Sequence, residues 1–240
     1  MILRSFIFFL LIVCLRAQAQ MSNTDKIQAK VNEVIKNLDW GGLDKYSQLN
    51  EIQLSKSNPD VVFMGDSITE GWSFYFPDFF SKNNFSNRGI GGQTTAQMLL
   101  RFRQDVIQLK PNIVVILAGI NDIAQNSRFY NLEIVAGNIF SMVDLAKSKG
   151  IKPIICSVLP AAEFPWNPSI LPSDFVIELN ELLISYAEKN EITYLDYYGE
   201  MKDKKGGLRT ELTTDGVHVT KEGYELMNLS VKKAIRDLSN

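Results

Sequence analysis

The chain has 240 residues, of which 45% are hydrophobic and 22% charged, and a formal net charge of −2. These ordinary globular values suit one medium domain and argue against a disordered or fibrous protein. With no basic excess to neutralise a polyanion, nucleic acid is a poor partner.

The first 19 residues read as a secretory signal. Arg4 gives a positive start, Ser5 to Leu15 is an apolar run of 11 residues, and Ala17-Gln18-Ala19 offers a small-residue cleavage site. The run falls short of the roughly 20 apolar residues of a membrane-spanning helix, so no stable membrane anchor is expected after cleavage. The expected location is therefore periplasmic or secreted. Cleavage removes Arg4 and Arg16, which leaves 23 basic against 27 acidic residues, a net −4. It also removes Cys14 and leaves Cys156 alone, so no internal disulfide can form. One Cys and one His cannot assemble a zinc site of the usual kind. No cofactor and no metal are expected.

Residues 20–60 read as an N-terminal helix and a connecting segment packed on the main domain. Ile27, Val31, Val34, Ile35 and Leu38 recur at helical spacing, whereas Asp39 to Asp60 is mixed and ends in the turn pair Asn58-Pro59. Short apolar runs follow at 61–64, 113–118, 153–158 and 192–197, with a weaker one at 85–90. They read as strands buried on both faces. Between them lie helical patterns at Thr95 to Leu109, Leu132 to Lys149, and a stretch capped by Ser173. A last helix follows Thr220. Strands alternating with helices of this length predict a three-layer α/β/α sandwich on a five-stranded parallel sheet. One loop stands out. Leu159 to Pro172 holds four prolines with Phe164 and Trp166, at the carboxyl end of the fourth strand, the edge where open α/β sheets bind ligands.

Four short segments could carry chemistry. Ser67, in Gly65-Asp66-Ser67-Ile68-Thr69, follows the first buried strand, where helix-start N–H groups can stabilise negative charge. The same serine opens Ser67-Ile68-Thr69-Glu70, an S-x-x-E capping box in which it would only cap a helix. Asp215 and His218 stand three apart before the last helix, so a carboxylate could orient one ring nitrogen while the other faces a serine. An Asp-Gly turn with an exposed histidine is the plainer alternative. His218 is the sole histidine, so a serine enzyme using histidine as base has no other choice. Asn87 to Gly92 is glycine-rich and can turn backbone N–H groups toward a ligand, or can be a simple strand-to-helix turn; Thr94 breaks the dinucleotide pattern G-x-G-x-x-G. Asn121, in Gly119-Ile120-Asn121-Asp122, can offer its amide to an oxyanion or can merely close a strand.

Taken together and in this order, these four blocks resemble the SGNH/GDSL hydrolase family. The resemblance implies a hydrolase domain over 61–240 with a flavodoxin-like sheet of order 2-1-3-4-5. It implies Ser67 as nucleophile, His218 as base and Asp215 as its orienter. The implied oxyanion donors are the N–H of Ser67, the N–H of Gly92 and the amide of Asn121. Ile68 replaces the leucine of the family motif, and Gln93 stands where an acidic residue is common. The G-x-S-x-G elbow of the α/β-hydrolase fold is absent, because Thr69 takes its last place. The expected function is an exported serine esterase that removes short acyl groups, acetate above all, from a small-molecule or glycan ester, with Phe164 and Trp166 covering sugar faces. The alternatives are a lysophospholipase, thioesterase or phospholipid-type acetylhydrolase, and a non-catalytic glycan-binding protein.

Overall fold

The structure is a computed structural model that describes residues 26–28, 30, 31, 34, 38–126 and 131–239. The signal reading of residues 1–19 and the contribution of Ile35 lie outside them. The chain divides after Gly42 into two units. In the first, Ile27, Val31, Val34 and Leu38 are helical.

The second unit carries five parallel strands: β1 (Val61–Gly65), β2 (Phe85–Gly89), β3 (Ile113–Leu117), β4 (Lys152–Cys156) and β5 (Thr193–Leu195), ordered β2-β1-β3-β4-β5. Its helices are α1 (Ser47–Lys56), α2 (Ser67–Tyr75), α3 (Pro77–Ser81), α4 (Thr95–Phe102), α5 (Ile120–Ile123), α6 (Leu132–Lys147), α7 (Ser173–Lys189), α8 (Tyr197–Met201) and α9 (Lys221–Ser239). Helices cover both sides of the sheet. On one side α4, α6 and α7 pack in a row, and on the other α2 meets α9. β1 and β3 are buried along their whole length, as their unbroken apolar runs require. Because β1 leads outward to β2 and the chain then returns to β3, the switch point falls between β1 and β3, whose carboxyl ends form the edge where open α/β sheets bind ligands.

Two packing devices fix the helix that begins at Ser67. Trp72 of α2 is buried against Phe63 of β1 at 5.4 Å edge-on, with Phe79 stacked on it at 5.4 Å. Such pairs contribute about 0.5–1.5 kcal/mol each beyond burial. The buried Tyr224 hydroxyl of α9 donates to the Ile68 carbonyl at 2.7 Å. The helix that follows His218 is thereby tied to the helix that starts at Ser67.

Several local readings change. The mixed segment before Asp60 contains α1. Its apolar residues Leu49, Ile52 and Leu54 are exposed and form no face, so periodicity could not reveal it; Asn50 is its one buried residue. The helical pattern to Leu109 is α-helical only to Phe102 and continues as a π-turn over Arg103–Ile107. β5 stops at Leu195, because Asp196 accepts from the Gly199 N–H and starts α8. Ser173 does not cap α7: it is the first helical residue, and its hydroxyl donates to the Ala161 carbonyl.

A polar network is sealed beneath this framework. Arg101 and Asp105 are wholly buried and paired at 2.9 Å. Arg101 also donates to the Gln93 side chain at 2.6 Å and to the Gly65 carbonyl at 3.1 Å. Asp105 accepts from Asn50 at 2.7 Å, and Asn50 in turn accepts from Arg88 at 2.8 Å. Removing one partner of a buried pair strands the other charge and typically costs about 3–5 kcal/mol. Arg101→Met should lose stability of that order in urea unfolding; a loss below about 1 kcal/mol would show that the network is dispensable.

Candidate active site

The turn after β1 decides what Ser67 does. Asp66, not Ser67, is the N-cap of α2: its side chain accepts from the Ile68 N–H at 2.9 Å. Glu70, the other half of the apparent capping box, turns away and accepts from the Gly91 N–H at 2.7 Å and from Lys45 at 2.9 Å. Ser67 is left at the first helical position with its hydroxyl directed outward, 3.1 Å from His218 Nε2. Its capping reading is thus overturned by the residue immediately before it.

His218 is held by the loop between Leu212 and α9. Thr213 Oγ donates to the His218 carbonyl and accepts from the Gly216 N–H. Thr220 caps α9 by accepting from the Gly223 N–H. Asp215 Oδ1 accepts from the N–H groups of Val217 and His218, and Oδ2 lies 2.7 Å from His218 Nδ1. Burial pulls the Asp215 carboxyl upward, but the His218 ring and these two N–H donors outweigh it and hold the carboxyl below its ordinary value. A carboxylate there requires the proton on Nδ1, which leaves Nε2 as acceptor for the Ser67 hydroxyl. The arrangement can remove a proton from Ser67 and later return it.

The cleft around Ser67 has a volume of about 230 Å³ and is lined by Ser67, Gly92, Ile120, Asn121, Asn126, Trp166, Val217 and His218. A larger hollow of about 500 Å³ lies between β5 and α9 and includes none of these residues; the chemistry, not the size, selects the smaller one. Gly92 reaches the cleft with φ +76°, and Gly119, which turns β3 into α5, has φ +124° with Leu179 crowding the place of a Cβ at 2.7 Å. Among the described residues neither the Ser67 nor the Gly92 N–H has an acceptor. The Asn121 amide donates one hydrogen to the Gln93 carbonyl at 3.1 Å. Gln93 itself, set apart in the sequence as a departure from the family, points its side chain inward to Arg101 rather than to the cleft. All five residues expected at the site therefore gather in one place, Asp215 from behind His218.

The aromatic loop needs one correction. Phe164 is fully buried and cannot touch a ligand. Its ring lies 5.3 Å from Trp166, which is 48% exposed and stands 6.0 Å from the His218 ring. Of these two rings Trp166 alone presents a face to the cleft, and Phe164 supports it from below. Asn126, which no motif marked, also lines the cleft.

Comparison with known proteins identifies the family. A model of the GDSL-like lipase/acylhydrolase family matches residues 63–226. A Bacteroides fragilis protein described as an acylhydrolase superposes with a TM-score of 0.80 at 46% identity, over 84% of this chain and 99% of that one. A GDSL-like lipase from Bacteroides thetaiotaomicron gives 0.79 at 44% identity, over 82% and 98%. The platelet-activating factor acetylhydrolase IB subunit alpha2 of Rattus norvegicus is 30% identical over 195 residues, 78% of this chain and 81% of that protein.

Asp66 supplies a pH-dependent prediction. It is buried, Oδ2 has no hydrogen-bond partner among the described residues, and burial pushes the carboxyl up to about 7. The folded state therefore favours the protonated form. The stability this confers is complete below the unfolded value near 4 and is lost as pH rises through about 7. Asp66→Asn keeps a capping acceptor and removes the titration. Relative to wild type, it should gain about 1–3 kcal/mol in urea unfolding between pH 4 and pH 8. Parallel stability curves over that range would contradict the assignment.

Proposed function

Because the chain belongs to the GDSL-like lipase/acylhydrolase family and is an ester-hydrolysing serine hydrolase, we propose that it removes short acyl groups, acetate above all, from a polar and carbohydrate alcohol, through a Ser67–His218–Asp215 triad. The observation that carries this reading is the continuous relay from Asp215 Oδ2 through the His218 ring to Ser67 Oγ, at 2.7 and 3.1 Å. His218 Nε2 takes the hydroxyl proton as Ser67 Oγ bonds to the ester carbonyl carbon. The negative oxygen then rests on the N–H groups of Ser67 and Gly92 and on the Asn121 amide, donors already in place before the charge forms. His218 returns the proton to the leaving alcohol as the C–O bond breaks, and a water activated in the same way releases the acid from Ser67. No cofactor is needed for any step.

Two features support a short acyl group. The cleft, at about 230 Å³, is smaller than the roughly 300–1,000 Å³ of pockets for drug-sized ligands. The rat relative is named an acetylhydrolase. For the alcohol, the half-exposed Trp166 face beside His218 suits the apolar face of a sugar ring. The same relative's name favours a second reading, an acetyl ester of a platelet-activating-factor type of lipid. Export through residues 1–19 would place the enzyme where acetylated glycans are met. Among the described residues no helix is long and apolar enough to cross a membrane.

A chain-length series of 4-nitrophenyl esters, run beside acetylated xylan and an acetylated lysophospholipid, tests the reading. Specificity constants should fall from acetate to octanoate, and acetate should be released from the glycan. Constants that rise with chain length, or acetate released from the lipid alone, would reject the carbohydrate reading. Trp166→Ala should raise KM on the glycan at least several-fold while sparing 4-nitrophenyl acetate.

A further inference from the structure

Asn126 belongs to none of the sequence blocks, yet its side chain joins two of the proposed oxyanion donors. Its Nδ2 donates to Asn121 Oδ1 at 2.9 Å and to the Gly92 carbonyl at 3.1 Å. Asn121 Nδ2 in turn donates to the Gln93 carbonyl at 3.1 Å. Main-chain carbonyls only accept, so each end of this chain of bonds fixes the orientation of one amide. Gln93 O requires the nitrogen of Asn121 on its side, which leaves Oδ1 facing Asn126. Gly92 O requires the nitrogen of Asn126. Turning either amide over would set two acceptors against each other.

A particular turn brings Asn126 there. At the end of α5 the Asn126 N–H bonds to the Asn121 carbonyl and the Gln125 N–H to the Asp122 carbonyl, the paired bonds of a Schellman motif. The residue that must take the left-handed conformation is Gln125, with φ +57°, where glycine is the usual occupant. The chain thus adopts a strained backbone at Gln125, and the next residue folds back over Asn121.

We propose that Asn126 is a positioning residue of the oxyanion hole, holding the Asn121 amide nitrogen toward the cleft and the Gly92 peptide in its left-handed turn. This rests on the reading of Asn121 and Gly92 as oxyanion donors. Asn121 Nδ2 carries two hydrogens: one is taken by Gln93 O, and the other is the donor to the substrate oxygen. Without the Asn126 bond only the Gln93 carbonyl holds the Asn121 amide, which then rotates more freely and for part of the time presents its own oxygen to the developing negative charge. Prealigned donors give their stabilisation without reorganising during the reaction, so the loss falls on turnover rather than on substrate affinity.

The test is steady-state kinetics of the full-length variants on 4-nitrophenyl acetate. Asn126→Ala removes the donor, and the near-isosteric Asn126→Asp replaces it with an acceptor that draws the Asn121 nitrogen away. Since losing one oxyanion donor typically costs about 10²–10³ in kcat, Asn126→Asp should approach that loss and Asn126→Ala should lose about tenfold, each with KM within about twofold. In an Asn121→Ala background the Asn126→Asp loss should shrink at least about tenfold, because the group it misdirects is gone. Retention of kcat within about twofold by both single variants would overturn the proposal, as would an equal Asn126→Asp loss in both backgrounds. Near-wild-type kcat in Asn121→Ala alone would instead overturn the donor reading beneath it. Asn126 is exposed, so both single variants are expected to fold.

Discussion

A guanidinium with no access to water must place its donors on the protein, and the fold around Ser67 is organised by where Arg101 places its own. One goes to the Gly65 carbonyl, two residues before Ser67, and one to the side chain of Gln93, the residue after Gly92; Asp105 takes a third. The Ser67 turn and the glycine loop leave different strands, and this one buried cation holds both. Its pairing with Asp105 offsets a desolvation penalty of several kcal/mol, so the pair is weak grounds for extra stability. Its consequence is positional. The Gly65 carbonyl also accepts the Ile90 N–H, Glu70 holds the Gly91 N–H, and Asn126 and Asn121 take the next two carbonyls, so the loop is bonded at almost every step.

Around Ser67 the two loops then receive carboxyl groups in contrasting settings. Asp215 is partly exposed and has three donors from its own turn, which keep it low and ionised beside His218. Asp66 is raised toward neutrality by burial, against the pull of the Ile68 N–H it accepts, and its Oδ2 has no partner among the described residues. The first sets the histidine tautomer; the second caps the helix that begins at the serine. Asp122, third in this ring, is raised to about 6 by burial although Thr95 donates to it through both N–H and hydroxyl, and it fixes the start of α4 behind the glycine loop.

How much of this is readable from sequence follows from what kind of interaction fixes each part. β1 and β3 are buried on both faces and announce themselves as unbroken apolar runs, and the strand order followed from the family resemblance. Ser67, Asp215, His218, Gly92 and Asn121 sit in short blocks whose residue types suit the chemistry proposed for them. What periodicity could not supply is whatever polar contacts decide. α1 has no apolar face and is anchored through Asn50 and the Tyr46 hydroxyl on Gly89. The choice between Ser67 as cap and as outward hydroxyl turned on Asp66, which the S-x-x-E pattern hides. Asn126 gave no signal, because its placement depends on Gln125 adopting a conformation that normally marks glycine. Phe164 and Trp166 look equivalent in the loop, yet one is core and the other faces the cleft.

We propose Ser67 as the nucleophile and His218 as the group that makes it one. The most direct test is peptide mass spectrometry after inactivation with a 4-nitrophenyl phosphonate ester, which captures an activated serine as a stable adduct. One adduct is expected, on the peptide holding Ser67, formed in proportion to lost activity and at least about a hundredfold more slowly, on the order of a lost catalytic base, in His218→Ala. Adducts on another hydroxyl, or labelling of Ser67 at an unchanged rate in His218→Ala, would contradict it.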